Sequence, residues 1–123
     1  MTMLSDVVEV PVEVTVARWV DVCDVDDLLP ERGVRALVGA DHVAVFRTYD
    51  GEVHALSDVD PFSGASILSR GIVGTRDRTP VVVSPMFKQA FDLRSGLCLD
   101  GPSVKVAVFA TRVAGGRVLI ARR

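Results

Sequence analysis

The side chains of this 123-residue chain that are best suited to bind a transition metal are two cysteines and two histidines. They are Cys23, Cys98, His42 and His54. Zinc sites usually draw their ligands in close pairs such as Cys-x-x-Cys, and these four residues are scattered along the chain. We therefore predict no metal site among them, two free and partly buried cysteines, and two histidines that belong to strands.

The sequence contains no arrangement typical of a catalytic centre. Ser84 lacks the Gly-x-Ser-x-Gly context of a hydrolase nucleophile, and it is followed by Pro85. Asp60 and Asp92 could form a carboxylate pair, but two aspartates carry little weight in a chain with 16 acidic residues. No glycine-rich phosphate loop precedes a helix, so a nucleotide site of the usual kind is excluded. We predict no catalytic residue in this chain.

Two segments share an unusual pattern of proline, phenylalanine and glycine. Residues 60–65 read Asp-Pro-Phe-Ser-Gly-Ala, and residues 84–89 read Ser-Pro-Met-Phe-Lys-Gln before Phe-Asp-Leu-Arg-Ser-Gly at 91–96. Proline and glycine mark turns in any all-β protein, which is one interpretation of both segments. As an ordered pair, however, they resemble the cluster-binding loops of Rieske iron–sulfur domains, Cys-Pro-His-x-Gly-Ala and Cys-Pro-x-His.

The resemblance fails at the four ligand positions, which here are Asp60, Phe62, Ser84 and Phe87. A Rieske centre needs two thiolates and two imidazoles. Phenylalanine cannot ligate, and two hard oxygen ligands do not make an iron–sulfur site. We predict that this chain holds no metal and no cofactor. We also predict that Phe62 and Phe87 pack where the loops meet the sheet and fill the space of a cluster.

The elements that carry these loops are predicted to be short strands. Valine dominates the 49% of apolar residues, and it often alternates with polar residues. Predicted strands occupy residues 18–23, 34–38, 42–48, 52–56, 80–83, 90–93, 104–108 and 117–120. Asp24 could cap one short helical turn at 25–29, and residues 74–79 should form an exposed loop. These patterns predict an all-β antiparallel sandwich or barrel with little helix, in which residues 1–14 are a loose arm and 15–123 one domain.

From about Trp19 to Ile120 the chain resembles the small subunits of bacterial assimilatory NAD(P)H-dependent nitrite reductases. The two loops carry the resemblance, together with Asp-Leu-Leu-Pro at 27–30 and Leu-Ser-Arg-Gly-Ile-Val-Gly at 68–74. The resemblance implies a Rieske-like fold without its cluster, in a subunit without catalytic residues. It also implies a large-subunit partner that carries FAD, a [4Fe–4S] cluster and siroheme, and reduces nitrite to ammonia in nitrate assimilation.

Two other functions remain open: a ferredoxin-like component of another oxidoreductase, and an all-β protein-interaction module. For a partner we predict a docking surface around the two loops. Its candidate residues are Arg70, Arg76, Arg78, Met86, Lys88 and Arg94. The alternative is a solvated loop region with arginines for solubility. No apolar run reaches the roughly 18 residues of a membrane span, and no secretory signal or nucleic-acid pattern is recognisable, so we expect a cytoplasmic protein.

Overall fold

The structure is a computed structural model that describes residues 19–101 and 103–122. It contains ten strands and two three-residue 3₁₀ turns, Val25–Asp27 and Leu68–Arg70. The strands are β1 (Trp19–Asp24), β2 (Gly33–Val38), β3 (Asp41–Arg47), β4 (Val53–Ser57), β5 (Ile72–Arg76), β6 (Thr79–Val83), β7 (Ala90–Asp92), β8 (Val108–Phe109), β9 (Thr111–Ala114) and β10 (Arg117–Ala121). The loose arm predicted at residues 1–14 lies outside the described residues. Within it, no helix is long and apolar enough to cross a membrane.

The strands form three antiparallel sheets, in the orders β9-β10-β1, β2-β3-β4-β8 and β5-β6-β7. The all-β antiparallel fold with little helix is therefore confirmed. Strand β3 is buried on both faces, which shows that it lies at the centre of the fold. Ala44 and Phe46 pack into one core cluster, whereas Val43 and Val45 pack into another. The first cluster also includes Phe91 of β7, so it extends under the sheet that carries the second loop.

Residues 75–78 are exposed, as predicted for 74–79, but the prediction of a loop is wrong because these residues belong to the β5–β6 hairpin. Thr75 pairs with Pro80, and Arg76 pairs with Thr79. The turn consists of Asp77 and Arg78, both in the left-handed region with φ of 49° and 68°. Two successive left-handed residues match the twist of a tight hairpin, but glycine or asparagine usually occupies them. Because Asp77 and Arg78 are neither glycine nor asparagine, this turn carries no hairpin signal in the sequence.

Two smaller predictions also differ from the structure. The short helical turn is a 3₁₀ turn of three residues, and the side chain of Asp24 makes no capping hydrogen bond. The predicted strand at 104–108 is reduced to Val108–Phe109. The preceding backbone instead makes single contacts: the amide of Cys98 donates to Val104 O, and the amide of Val106 donates to Gly96 O. Of the three alternating valines, Val106 is buried, Val104 is partly buried and Val108 is 40% exposed, so the alternation did not mark a regular strand.

Candidate functional site

The first loop, residues 60–65, is closed by three hydrogen bonds around Asp60. The Asp60 amide donates to Ala65 O at 2.8 Å, and the Gly64 amide donates back to Asp60 O at 2.8 Å. The Asp60 carboxylate oxygen Oδ1 accepts the Phe62 amide, also at 2.8 Å. A side-chain oxygen that accepts the amide two residues on is a local turn device, so this loop forms from its own residues.

The second loop, residues 84–89, repeats the same scheme around Ser84. The Ser84 amide donates to Gln89 O at 2.9 Å, the Lys88 amide donates to Ser84 O at 3.1 Å, and Ser84 Oγ accepts the Met86 amide at 3.3 Å. Lys88 has a φ of 65°, where Gly64 of the first loop has 75°. The two loops are therefore equivalent turns, but the second one places a lysine in a conformation that favours glycine.

A third turn of this kind follows strand β7. The Asp92 amide donates to Leu97 O at 2.9 Å, the Gly96 amide donates to Asp92 O at 2.7 Å, and Asp92 Oδ1 accepts the Arg94 amide at 2.8 Å. This turn corresponds to the Phe-Asp-Leu-Arg-Ser-Gly segment of the sequence. The conformation shared by all three turns is thus a property of the backbone and does not require a bound ligand.

The first two loops meet at a buried contact between their leading residues. Ser84 Oγ donates to Asp60 Oδ2 at 2.5 Å, and both residues are fully buried. Asp60 and Ser84 stand 24 positions apart in the chain. Both loops therefore lie at one end of the β5–β6–β7 sheet, which we call the tip.

The residues at the predicted ligand positions do not fit a [2Fe–2S] cluster. The two inner positions carry a carboxylate and a hydroxyl that already bond to each other, and the two outer positions carry phenyl rings. The cysteines lie elsewhere: Cys98 is in the core cluster of Phe91, and Cys23 packs against the other cluster. Across residues 19–101 and 103–122 no cluster of three or more His, Cys, Asp or Glu side chains could hold a metal ion.

The two phenylalanines of the loops have different environments. Phe62 is partly buried against the core, and its ring centroid lies 6.3 Å from that of Phe91. Phe87 is 51% exposed, so the prediction that both rings pack under the loops is wrong for Phe87. Phe87 is the third residue after Ser84 in its turn, whereas Phe62 is the second after Asp60. The two turns have the same length, so Phe87 corresponds in position to the exposed Ser63 and not to Phe62.

Two other exposed apolar side chains lie at the tip together with Phe87. Met86 is 52% exposed, and Ile72 is 71% exposed. Ile72 pairs with Val83, the residue directly before the second loop, so it lies at the same end of the sheet. Sequence reasoning missed Ile72, although Val73 beside it is buried and the alternation of a strand would have directed Ile72 outward.

The predicted basic residues do not form one surface. Arg70 lies two positions before Ile72, and Lys88 belongs to the second loop, so these two flank the apolar group, and both are exposed. We define the tip patch as Arg70, Ile72, Met86, Phe87 and Lys88. The Arg76–Thr79 pair closes the opposite end of the β5–β6 hairpin.

Arg78 and Arg94 are engaged away from the loops, whereas Arg76 is bonded to Asp100, which also bonds to Ala90 directly after the second loop. Arg78 and Arg94 line a cleft of about 300 Å³ between the β5–β6 hairpin and the turn before β4. Arg94 also forms an ion pair with Glu52 at 3.8 Å. Arg76 donates to Asp100 at 2.5 Å, and this bond, with one from the Ala90 amide, lowers the pKa of the Asp100 carboxyl.

Comparison with known proteins gives consistent relatives. Residues 18–121 match the family described as Rieske-like [2Fe-2S] domain. The chain is 43% identical over 103 residues to the nitrite reductase (NADH) small subunit of Escherichia coli strain K12, across 83% of this chain and 95% of that protein. The solution structure of the nitrite reductase [NAD(P)H] small subunit from Erwinia carotovora is 45% identical, with a TM-score of 0.73 over 85% of this chain and 82% of that one.

A third relative is a much larger protein. The chain is 36% identical over 102 residues to the nitrite reductase [NAD(P)H] large subunit of Klebsiella oxytoca. The match covers 83% of this chain but only 11% of that protein. In Klebsiella oxytoca, therefore, a segment similar to nearly the whole described fold is part of the large-subunit polypeptide.

Proposed function

This chain belongs to the family of nitrite reductase small subunits with a Rieske-like domain, and from that membership we propose that it is the non-catalytic small subunit of an NAD(P)H-dependent nitrite reductase. The observation that carries the proposal is the Klebsiella oxytoca large subunit, which contains a related segment. A module that is covalently joined to an enzyme in one organism and separate in another is expected to associate with that enzyme in both.

The proposed division of labour follows from the side chains. The loops offer no thiolate or imidazole, so electron transfer through this chain has no support, and a ferredoxin-like role is disfavoured. We propose that the large subunit holds FAD, a [4Fe–4S] cluster and siroheme and reduces nitrite to ammonia in nitrate assimilation. Because reduced nicotinamide is supplied in the cytoplasm, we place the complex there.

We propose further that the tip patch is the surface that meets the large subunit. Ile72, Met86 and Phe87 are large apolar side chains left exposed at one place, which is typical of anchors at protein interfaces. Arg70 and Lys88 flank them and suit an acidic rim on the partner. The apolar anchors would supply affinity, and the two cations would supply the rate and orientation of encounter.

The function is tested by reconstitution with the large subunit of the same organism. We expect nitrite-dependent NAD(P)H oxidation to rise when the small subunit is added, and to rise less with the variant Met86→Ser/Phe87→Ser. The matched control is Leu37→Ser, which removes a 64% exposed leucine from strand β2, away from the tip. Equal rates with and without this chain, in a mixture that does not co-purify, would contradict the proposal.

The absence of a cluster is tested separately by anaerobic purification. We expect a colourless protein without stoichiometric iron, because the inner ligand positions are Asp60 and Ser84 and the outer ones are Phe62 and Phe87. Visible absorption and metal analysis provide the measurement. A reproducible iron–sulfur spectrum would disprove this part of the proposal.

A further inference from the structure

We propose that the Ser84–Asp60 hydrogen bond replaces the iron–sulfur cluster as the connection that fixes the two loops to each other. A Rieske cluster joins its loops because each loop supplies ligands to the same metal centre. In this chain the inner residue of each loop is polar, fully buried and bonded directly to the other. The inference concerns the order of the loops; its consequence for docking rests on the proposed function.

Each loop alone is a local structure. The backbone bonds of residues 60–65 and of residues 84–89 stay within their own loop. In the part of the chain that the structure describes, the bond from Ser84 Oγ to Asp60 Oδ2 is the hydrogen bond that joins one segment to the other. Removal of this bond would leave two well-formed turns that are held to each other less directly, through their strands and through the packing of Phe62 against Phe91.

The hydrogen bond between Ser84 and Asp60 is a strong one. A distance of 2.5 Å is that of a hydroxyl donating to a carboxylate, which is stronger than a bond between neutral groups. Both partners are shielded from water, which would otherwise compete for each of them. Residues 19–101 and 103–122 provide no ion-pair partner for Asp60, so the serine hydroxyl and the Phe62 amide are the donors that satisfy its carboxylate.

The bond between the loops is connected to the tip patch through Met86. Asp60 Oδ1 accepts the Phe62 amide, and Ser84 Oγ accepts the Met86 amide. A continuous series of hydrogen bonds therefore runs from Phe62 through Asp60 and Ser84 to Met86. The position of Met86 relative to the first loop depends on this series, and a preformed patch loses less conformational entropy on binding than a mobile one.

Amide hydrogen exchange measured by NMR tests the inference across the two loops. In Ser84→Ala, we expect the exchange rates of the Phe62 and Gly64 amides of the opposite loop to rise about tenfold to a hundredfold. In Asp60→Ala, the same rise should appear at Lys88. The double variant should exceed neither single variant by much, because both substitutions break one shared bond.

The matched control is Asp92→Ala, because Asp92 leads a turn of the same kind without a partner loop. This variant should loosen Gly96 and leave the amides of the two loops unchanged. If either alanine variant fails to fold, Asp60→Asn replaces it: this variant keeps the size and the Oδ1 acceptor, its Nδ2 can no longer accept the Ser84 hydroxyl, and we expect a smaller rise at Lys88. Unchanged exchange in the loop opposite to each substitution would overturn the inference.

Association of the same variants with the large subunit separates this inference from the proposed function. Slower association of Ser84→Ala together with faster exchange in the first loop supports both. Faster exchange with unaltered association would retain the connection between the loops and reject the tip as the docking surface. Unaltered exchange would reject the connection, whatever the association rate.

Discussion

At the scale of single residues, the two inner ligand positions carry polar side chains, whereas the two outer positions carry aromatic ones. The inner positions, Asp60 and Ser84, are fully buried and remain polar. Buried polar side chains are costly unless they are bonded, and these two satisfy each other. The outer positions carry phenyl rings, which need no partner. One ring lies partly in the core, and the other is available on the surface.

The two phenylalanines should therefore respond differently to truncation. Phe62→Ala removes a ring that contacts Phe91 and the core, so we expect a loss of about 1.5–3 kcal/mol in the free energy of unfolding, below the cost of a fully buried phenylalanine. Phe87→Ala should cost less than about 0.5 kcal/mol, because the ring is half exposed. Urea unfolding measures both, and equal losses would contradict this assignment.

Some of the site could be predicted from residue types, and some could not. The loss of thiolate and imidazole ligands at the four positions is visible in the sequence. The bond between Asp60 and Ser84 is not visible, because it depends on the approach of two loops through the tertiary fold. The exposure of Phe87 depends on its position in the turn, one residue later than that of Phe62, and residue type alone favours burial of any phenylalanine.

At the scale of elements, three turns share one hydrogen-bond scheme but differ at the residue with positive φ. Glycine occupies this position in the turns that begin at Asp60 and Asp92, as Gly64 and Gly96, whereas Lys88 occupies it in the turn that begins at Ser84. A left-handed conformation is unfavourable for a residue with a Cβ atom. The lysine is thus retained at a conformational cost, and its side chain belongs to the tip patch.

Replacement of this lysine should stabilise the fold. We expect Lys88→Gly to raise the free energy of unfolding by roughly 0.5–1 kcal/mol, since relief of the left-handed strain exceeds the added flexibility of glycine. Gly64→Ala is the matched control and should lower it by about 1 kcal/mol, because no atom lies within 4 Å of the added Cβ and only the backbone conformation opposes it.

Thermal and urea unfolding of both variants provide the measurement. A destabilised Lys88→Gly variant would show that the lysine side chain contributes to the fold rather than to a surface. If the variant is more stable but associates more slowly with the large subunit, the two roles of this position are separated.

The elements themselves were predictable where the turn signal is explicit. The turn residues Asp50-Gly51 and Gly115-Gly116 each lie between two paired strands, and residues of these types are an explicit hairpin signal. The β5–β6 hairpin was missed because Asp77 and Arg78 adopt left-handed conformations without glycine. The strand expected at 104–108 was overpredicted because alternation does not report the presence of a partner strand, and here Val106 is buried whereas Val108 is exposed.

At the scale of the whole molecule, the β5–β6 hairpin has two chemically different ends. The tip end has the apolar group of Ile72, Met86 and Phe87, with the exposed cations Arg70 and Lys88 beside it. The other end has Arg78 and Arg94 at a cleft whose lining also includes Glu52. Sequence reasoning treated all these basic residues as one surface, because sequence separation does not reveal which end of a hairpin a residue occupies.

Charge reversal at the two ends should therefore have different effects on assembly. The tip variant Arg70→Glu/Lys88→Glu and the control variant Arg78→Glu/Arg94→Glu, at the cleft, change the net charge of the protein by the same amount. We expect the tip variant to associate with the large subunit roughly tenfold more slowly at low salt, because charges at the rim of an interface act mainly on the association rate. The difference should diminish as added salt screens the exposed charges. Surface plasmon resonance at several salt concentrations measures these rates. If the control variant slows association equally, the effect is one of net charge, and the partner does not bind at the tip.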